Sequence, residues 1–356
     1  MTSDRARLDS VDALRGLTVA AMLLVNNPGD WGYVYAPLRH ADWHGFTPTD
    51  LIFPFFLFIV GVSLSLSLGP RLAAGGDPAS LRRSVLVRAL RIVVLGLVLH
   101  ALAFWLMDTR AFRPFGVLQR IGLCFAAAGL LAIHTKPRTQ WIVFAGILLG
   151  YWALLAWGGP LTKEGNLASR VDTALLGAWA YEFDPATDLG HEPEGVLSTL
   201  PAIATTLLGL RAGDWLRHGR ARWLWPAAAA ALLLGAVWSM VFPLNKQLWT
   251  SSYVLWSGGW ALLGLALAHL AIDRFGAPPI GRAFGVNAIA AYAGSWLMLC
   301  LLVAFGLAGP MYQHGFAWMT PAVGPMLPSL AFALVYVMVW WLIVAILDRR
   351  GVHFKI

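Results

Sequence analysis

The chain has 356 residues, of which 58% are hydrophobic and only 12% charged, with a mean hydropathy of +0.66 and a formal charge of +8. That balance excludes an ordinary soluble domain and a disordered chain, and places the protein in a membrane. The excess of positive charge does not indicate nucleic acid, because the basic residues sit in short loops between apolar runs, so the partner it fits is a lipid bilayer.

In chain order, a basic leader, MTSDRARLDSVDALR, precedes an apolar run from Gly16 to Val25. No small-x-small cleavage site follows, so a removed signal peptide is not expected. Ser10 or Asp12 is placed to cap the first helix, and Asp12 can pair with Arg15 one turn on. Apolar spans are predicted at about 13–27, 48–68, 85–106, 115–134, 140–158, 195–212, 223–242, 252–271, 283–306 and 327–347. Most approach the ~20 residues needed to cross a hydrocarbon core. The expected fold is therefore all-α, a polytopic integral membrane protein of about ten transmembrane helices. The first and sixth spans are the shortest and most polar, as helices lining a cavity would be. With no low-complexity tract or Gly/Ser linker, residues 1–356 read as a single multi-pass domain. Cys124 and Cys300 fall inside apolar spans and give neither a disulfide framework nor a metal set, so no metal is expected.

Loop charge sets the expected orientation. With the N-terminus inside, the cytoplasmic segments hold nineteen of the 26 basic residues, among them Arg5, Arg7, Arg15, Arg82, Arg83, Arg88, Arg91 and Lys355. The opposite side holds six, namely Arg39, Arg110, Arg113, Lys163, Arg170 and Lys246, and Arg120 lies within a span. Such asymmetry predicts that both termini are cytoplasmic. The longest connection, 159–194, then lies outside. It mixes acids with Trp179, Tyr181 and Phe183, and reads equally as a sugar-contacting segment or as a solvated cover.

Polar chemistry is concentrated between Val25 and Gly61, in VNNPGDWGYVYAPLRHADWHGFTPTDLIFPFFLFIVG. Asp50 stands directly before an apolar run, at or just below the membrane surface, where an unpaired charge is costly. It reads either as a functional carboxylate or, with Thr47, as a cap of the second helix. Arg120 enters an apolar helix from the outer side and needs an anionic or carbonyl partner; Asp50 and a ligand are both open. Asn26, His40, Asp50, Arg120, Glu194, Asn245, Lys246 and Trp249 all fall at the same membrane face, so one outward-opening pocket can gather them.

Several segments resemble the heparan-α-glucosaminide N-acetyltransferase family: LDSVDALRG (8–16), VNNPG, RHADWHGFTPTDLIFPFFLFIVG, FGVLQRIGL (115–123), NLASRVDTALLG (166–177), EPEGVLSTLPAIATTLLG (192–209), PLNKQLWTSSYV (243–254) and FGVNAIAAY (284–292). The resemblance implies a membrane acetyltransferase that takes its acetyl group from cytosolic acetyl-CoA and delivers it to an amino sugar or glycan on the far side. In a compact bacterial-type member that side is the periplasm, across the inner membrane. The family's active histidine lies in a His-Ala-x-Trp motif, matched by His40-Ala41-Asp42-Trp43. His40 is thus expected to accept the attacking proton or to carry the acetyl group itself. Asp50 would orient it, and Asn26 would donate to the thioester carbonyl. His44 lies outside the motif. Arg15, three turns from Asn26 on one face of the first helix, would line the pantetheine path, with Arg120 as a second contact to the donor. Asn245, Lys246, Trp249 and Glu194 would hold the acceptor sugar. A transporter of a sugar or small solute is the other class with polar groups between apolar helices, and a homodimer remains open.

Overall fold

The computed structural model describes residues 8–107 and 111–354. Arg5, Arg7, Arg110 and Lys355, which enter the charge distribution above, lie outside them. The described chain is mostly helical: α1 (Asp9–Asn26), α2 (Ile52–Ala73), α3 (Pro78–Leu106), α4 (Val117–His134), α5 (Pro137–Trp157), α6 (Leu167–Leu176), α7 (Thr199–Arg217), α8 (Leu224–Ser239), α9 (Ser251–Ala268), α10 (Arg282–Val286), α11 (Ala288–Ala304), α12 (Ala308–Gly315), α13 (Thr320–Val323) and α14 (Met326–Arg349). Each of the ten predicted runs is helical, with α10 and α11 sharing the ninth. Among the described residues, seven helices are long and apolar enough to cross a membrane, or eight if α11 and the α12–α13 segment, bent 88° from it, form one span. α1 and α7 are not among them. α1 carries Asp9, Asp12 and Arg15, and α7 carries Arg211, Asp214 and Arg217.

Local chemistry sets the helix ends. Asp77 caps α3 by accepting from the Ala79 and Ser80 amides, with Pro78 in the first helical position. A turn of 3-10 helix, Pro48–Leu51, leads into α2 under a Thr47/Asp50 capping box. α1 departs from expectation. It begins at Asp9 after Leu8 with no side-chain cap, because Ser10 bonds Asp273 instead and Asp12 bonds Arg15 at 2.9 Å.

The polarity of α7 is explained by where it sits. It packs along α2 at the centre of the bundle, with α4, α5 and α9 around it, and its Thr205 and Thr206 are buried in protein rather than facing lipid. A Cβ on Gly209 would lie 1.9 Å from the Phe58 carbonyl oxygen, and one on Gly61 2.0 Å from that of Thr206. Glycine at these positions permits the close approach of the two backbones, the usual basis of helix association in membranes. α3 and α14 show the reverse, turning Leu90, Val94, Leu334 and Leu342 outward as a hydrocarbon-facing surface would.

The 159–194 connection is folded. Asn166 caps α6 through the Ser169 amide, and β1 (Glu182–Asp184) pairs antiparallel with β2 (Leu189–His191), Glu182 opposite His191. This small cap covers the bundle end that carries the start of α2, α4, α7 and α9.

Candidate active site

His40 and Asp50 meet at that end. His40 Nδ1 lies 2.7 Å from Asp50 Oδ1. The other carboxylate oxygen accepts from the Ala41 amide at 3.2 Å, the Thr47 amide at 3.0 Å and the Thr47 hydroxyl at 3.1 Å. The Tyr253 hydroxyl donates to the Asp50 carbonyl at 2.5 Å. Asp50 is thus 1% exposed and held from four directions, whereas the His40 side chain is 47% exposed. An ionised carboxylate can only accept, so Nδ1 carries the proton and Nε2 is left with a free lone pair. Asp50 serves as both helix cap and histidine partner, so the two sequence readings are joined in one side chain.

Lys246 reaches the same histidine from the α8–α9 loop. Its Nζ is 3.1 Å from His40 Nδ1, 3.3 Å from Nε2 and 3.9 Å from Asp50 Oδ1. Asn245, fully buried, shapes the turn by accepting from the Leu248 amide at 2.8 Å, and its amide nitrogen faces His44 Nδ1 at 3.4 Å. Burial pulls the His44 and Lys246 pKa values below their ordinary range; for Lys246, Asp50 and Glu194 oppose that shift.

A second charged cluster lies under the cap. Arg113 donates to both Glu192 and Glu194, and its guanidinium packs 4.2 Å from the centre of the Tyr181 ring. Burial pushes the Glu194 carboxyl upward, but Arg113, Arg120 and Lys246 together hold it below its ordinary value. Burial drives the nearby groups further: Asp172 is pushed up to about 7 and His191 down to about 4. Sequence reasoning counted Arg113 only as an outer-face charge and missed its role here. The one signal was the Glu192-Pro193-Glu194 pair of acids, which demanded a cation.

Arg120 does not pair with Asp50. It is fully buried, donating to Ser198 Oγ at 2.5 Å and the Gly195 carbonyl at 3.3 Å, and it lies 5.2 Å from the Trp249 ring. Asp50 already accepts from His40, Ala41 and Thr47, while Arg120 faces the start of α7. The stacking surface expected of Trp249 is also not open. At 1% exposure its ring packs edge-on against Phe53 and Tyr253, and Nε1 donates to Thr205 at 3.0 Å. A backbone φ of +53° at Trp249 turns the ring into the bundle.

Two expected contributors stand apart. Asn26 is exposed at the end of α1, and no described hydrogen bond joins it to His40. Arg15 sits near the opposite end of α1, bonding Asp12, the Gly285 carbonyl at 3.0 Å and Ser63 Oγ at 2.8 Å.

Chemically, the arrangement offers an oriented, accessible imidazole nitrogen beside an ammonium, next to a fixed carboxylate. The catalytic-domain profile of heparan-alpha-glucosaminide N-acetyltransferase matches residues 7–241. The human protein of that name is 28% identical over 81% of this chain and 52% of its own length. The mouse protein is 27% identical over 82% of this chain and 54% of its own. The chain therefore spans about half the length of the curated relatives it matches. His40, Asp50, Arg113, Arg120 and Glu194 lie within the profile match, and Asn245, Lys246 and Trp249 just beyond it.

Proposed function

The chain belongs to the heparan-α-glucosaminide N-acetyltransferase catalytic family, and we propose that it is a membrane-embedded acetyltransferase moving the acetyl group of cytosolic acetyl-CoA to an amino sugar or glycan on the periplasmic side. The observation that carries this reading is the 2.7 Å contact between His40 Nδ1 and Asp50, which leaves Nε2 free on a half-exposed ring. Nε2 either takes the proton of the attacking amine or attacks the thioester carbonyl, giving an acetylated imidazole and CoA thiolate. Asp50 stabilises the imidazolium that the first route creates. Glu194 and Asn245, both buried beside the His40 cluster, are assigned to the acceptor end of the site. Arg15 and the α1 face above it line the path of the pantetheine arm, with Asn26 where that path meets the outer side. Arg120 acts on the donor indirectly, through Ser198 and the start of α7.

We infer one domain with ten crossings of a bacterial inner membrane, both termini cytoplasmic and no metal in the reaction. The charge asymmetry of the loops supports this orientation, as does the gathering of the His40 cluster at a single end of the bundle. A single cysteine placed beside His40 should then react with an impermeant thiol reagent added from the periplasm, and one beside Arg82 only from the cytoplasm; reaction of both from one side overturns the topology.

Activity is tested on protein purified in detergent, supplied with acetyl-CoA and a panel of amino sugars and envelope glycans, with mass detection. Acetylated acceptor and free CoA are expected without any membrane gradient. A folded protein that makes neither product across the panel is behaving as the transporter reading requires, and the acetyltransferase reading falls.

A further inference from the structure

Lys246 is held against the His40 imidazole in an arrangement that gives its donors no well-aligned acceptor among the described residues. Nearly equal distances to the two ring nitrogens, 3.1 and 3.3 Å, place Nζ over the ring face, since a position in the ring plane would overlap ring carbons. His40 Nδ1 has its proton directed at Asp50 and cannot accept, and the Nε2 lone pair points along the ring plane, away from Nζ. Asp50 Oδ1, at 3.9 Å, is too far for a hydrogen bond. The loop is rigid where it matters. Asn245 is locked by the Thr250 hydroxyl at 3.1 Å and by Leu248, and the neighbouring 45–46 segment is tied in by the Gly45 amide on the Leu244 carbonyl at 2.9 Å. An ammonium fixed over an imidazole, with no acceptor in good geometry among the described residues, marks a place where a ligand oxygen belongs.

We propose that Lys246 is the oxyanion-stabilising group of the acetyl transfer, donating to the carbonyl oxygen of the acyl group beside His40 Nε2. This rests on the acetyltransferase reading above. In the covalent route the Nε2 lone pair forms a bond to the thioester carbonyl carbon and the π electrons move onto oxygen. Collapse then restores the carbonyl and expels CoA thiolate. In the direct route the acceptor amine adds to that carbon while Nε2 takes its proton and the same oxygen becomes negative; collapse then restores the carbonyl and expels CoA thiolate, which takes the proton from Nε2. The acyl substituents spread above and below the ring plane, so an oxygen rising on the Lys246 side comes within hydrogen-bond reach of Nζ. Burial lowers the Lys246 pKa and Asp50 and Glu194 oppose that shift, and a partly desolvated ammonium is worth more beside a developing oxyanion than it would be in water.

The test uses the full-length protein in detergent, comparing wild type with Lys246→Met, Lys246→Arg and Lys246→Cys. Losing one oxyanion donor costs about 10²–10³-fold in kcat. That loss is expected for Lys246→Met, with the KM of the acceptor changed by less than about 3-fold, because the donor acts in the transition state. Lys246→Arg should recover part of the rate. Lys246→Cys should be as slow as Lys246→Met, regain activity when alkylated with 2-bromoethylamine, which rebuilds an ammonium, and gain nothing from neutral iodoacetamide. Cys124 and Cys300 are buried, so treated wild type serves as the control. A rise in acceptor KM with kcat preserved would make Lys246 a sugar contact and overturn the proposal, as would equal rescue by both reagents. An inactive wild type would instead overturn the acetyltransferase reading itself, and this inference with it.

Discussion

Trp43 lies edge-on to His191, with ring centroids 5.2 Å apart and planes at 78°. The contact joins the histidine-bearing loop to the cap, because Trp43 Nε1 also donates to the Leu161 carbonyl at 2.7 Å and His191 Nδ1 meets Ser169 Oγ at 2.8 Å. Trp43 is the last residue of the His-Ala-x-Trp motif, and in this fold its task is to fasten the loop that carries His40.

Trp43→Phe keeps an aromatic ring but removes the indole donor. We expect the cap to lose about 1 kcal/mol of local stability, read as roughly 5-fold faster cleavage of the 159–194 segment by limited proteolysis. Unchanged cleavage would mean that the cap is held by its other contacts.

His40→Ala should fold and should lose at least ~10²-fold in acetyl transfer, the usual scale for a general base, and more if the residue is acylated. Asp50→Asn should lose activity as well and also lower stability, because one side chain serves both the imidazole and the capping box. His44→Ala, on the same loop, should do far less, since its Nδ1 faces Asn245 rather than Asp50. Steady-state rates for the three variants check the order; equal loss at His40 and His44 would remove the centre of the site.

Much of this was legible in the sequence where it depends on short-range order. The ten apolar runs are all helical, Asp12 and Arg15 pair as their spacing requires, and Thr47 with Asp50 caps α2 while Asp50 meets His40 ten residues back. What stayed hidden depends on distant chain segments or on a single backbone angle. The partner of Arg120 is Ser198, supplied by the turn into α7, and the cation for Glu192 and Glu194 comes from Arg113, before α4. Trp249 beside Lys246 has the pattern of an interfacial anchor, and it took the positive φ at that residue to bury the ring.

Arg120 should therefore not be the direct partner of Asp50. A double-mutant cycle on Arg120→Ala and Asp50→Asn should give a coupling of no more than about 0.5 kcal/mol, because the two are linked only indirectly, through Lys246 and through Tyr253 and Trp249. The cycle of Arg120→Ala with Ser198→Ala should couple by more than that, because the two side chains touch. Denaturant or thermal unfolding in detergent reads both, and strong coupling to Asp50 would refute the assignment of partners.

The buried cap groups predict a pH dependence with a definite sign. Burial raises Asp172 from 3.8 to about 7, so the folded state holds a proton there that the unfolded chain has released. Its contribution to stability is complete below pH ~4 and is lost as pH rises towards ~7, at about 1.4 kcal/mol per pH unit. His191 does the opposite. Burial lowers it from 6.5 to about 4, so its contribution is complete above its ordinary value and is lost as pH falls towards about 4. Between those limits the two slopes oppose each other in the wild type. Asp172→Asn removes one of them while leaving an oxygen to accept from the Val196 amide, which Asp172 does at 2.9 Å. The variant should therefore gain stability relative to wild type steadily from pH ~4 to ~7 and hold a constant advantage above that. Thermal unfolding of both proteins across that range measures the difference directly, and a gap that does not widen with pH would show that Asp172 is already ionised in the folded cap.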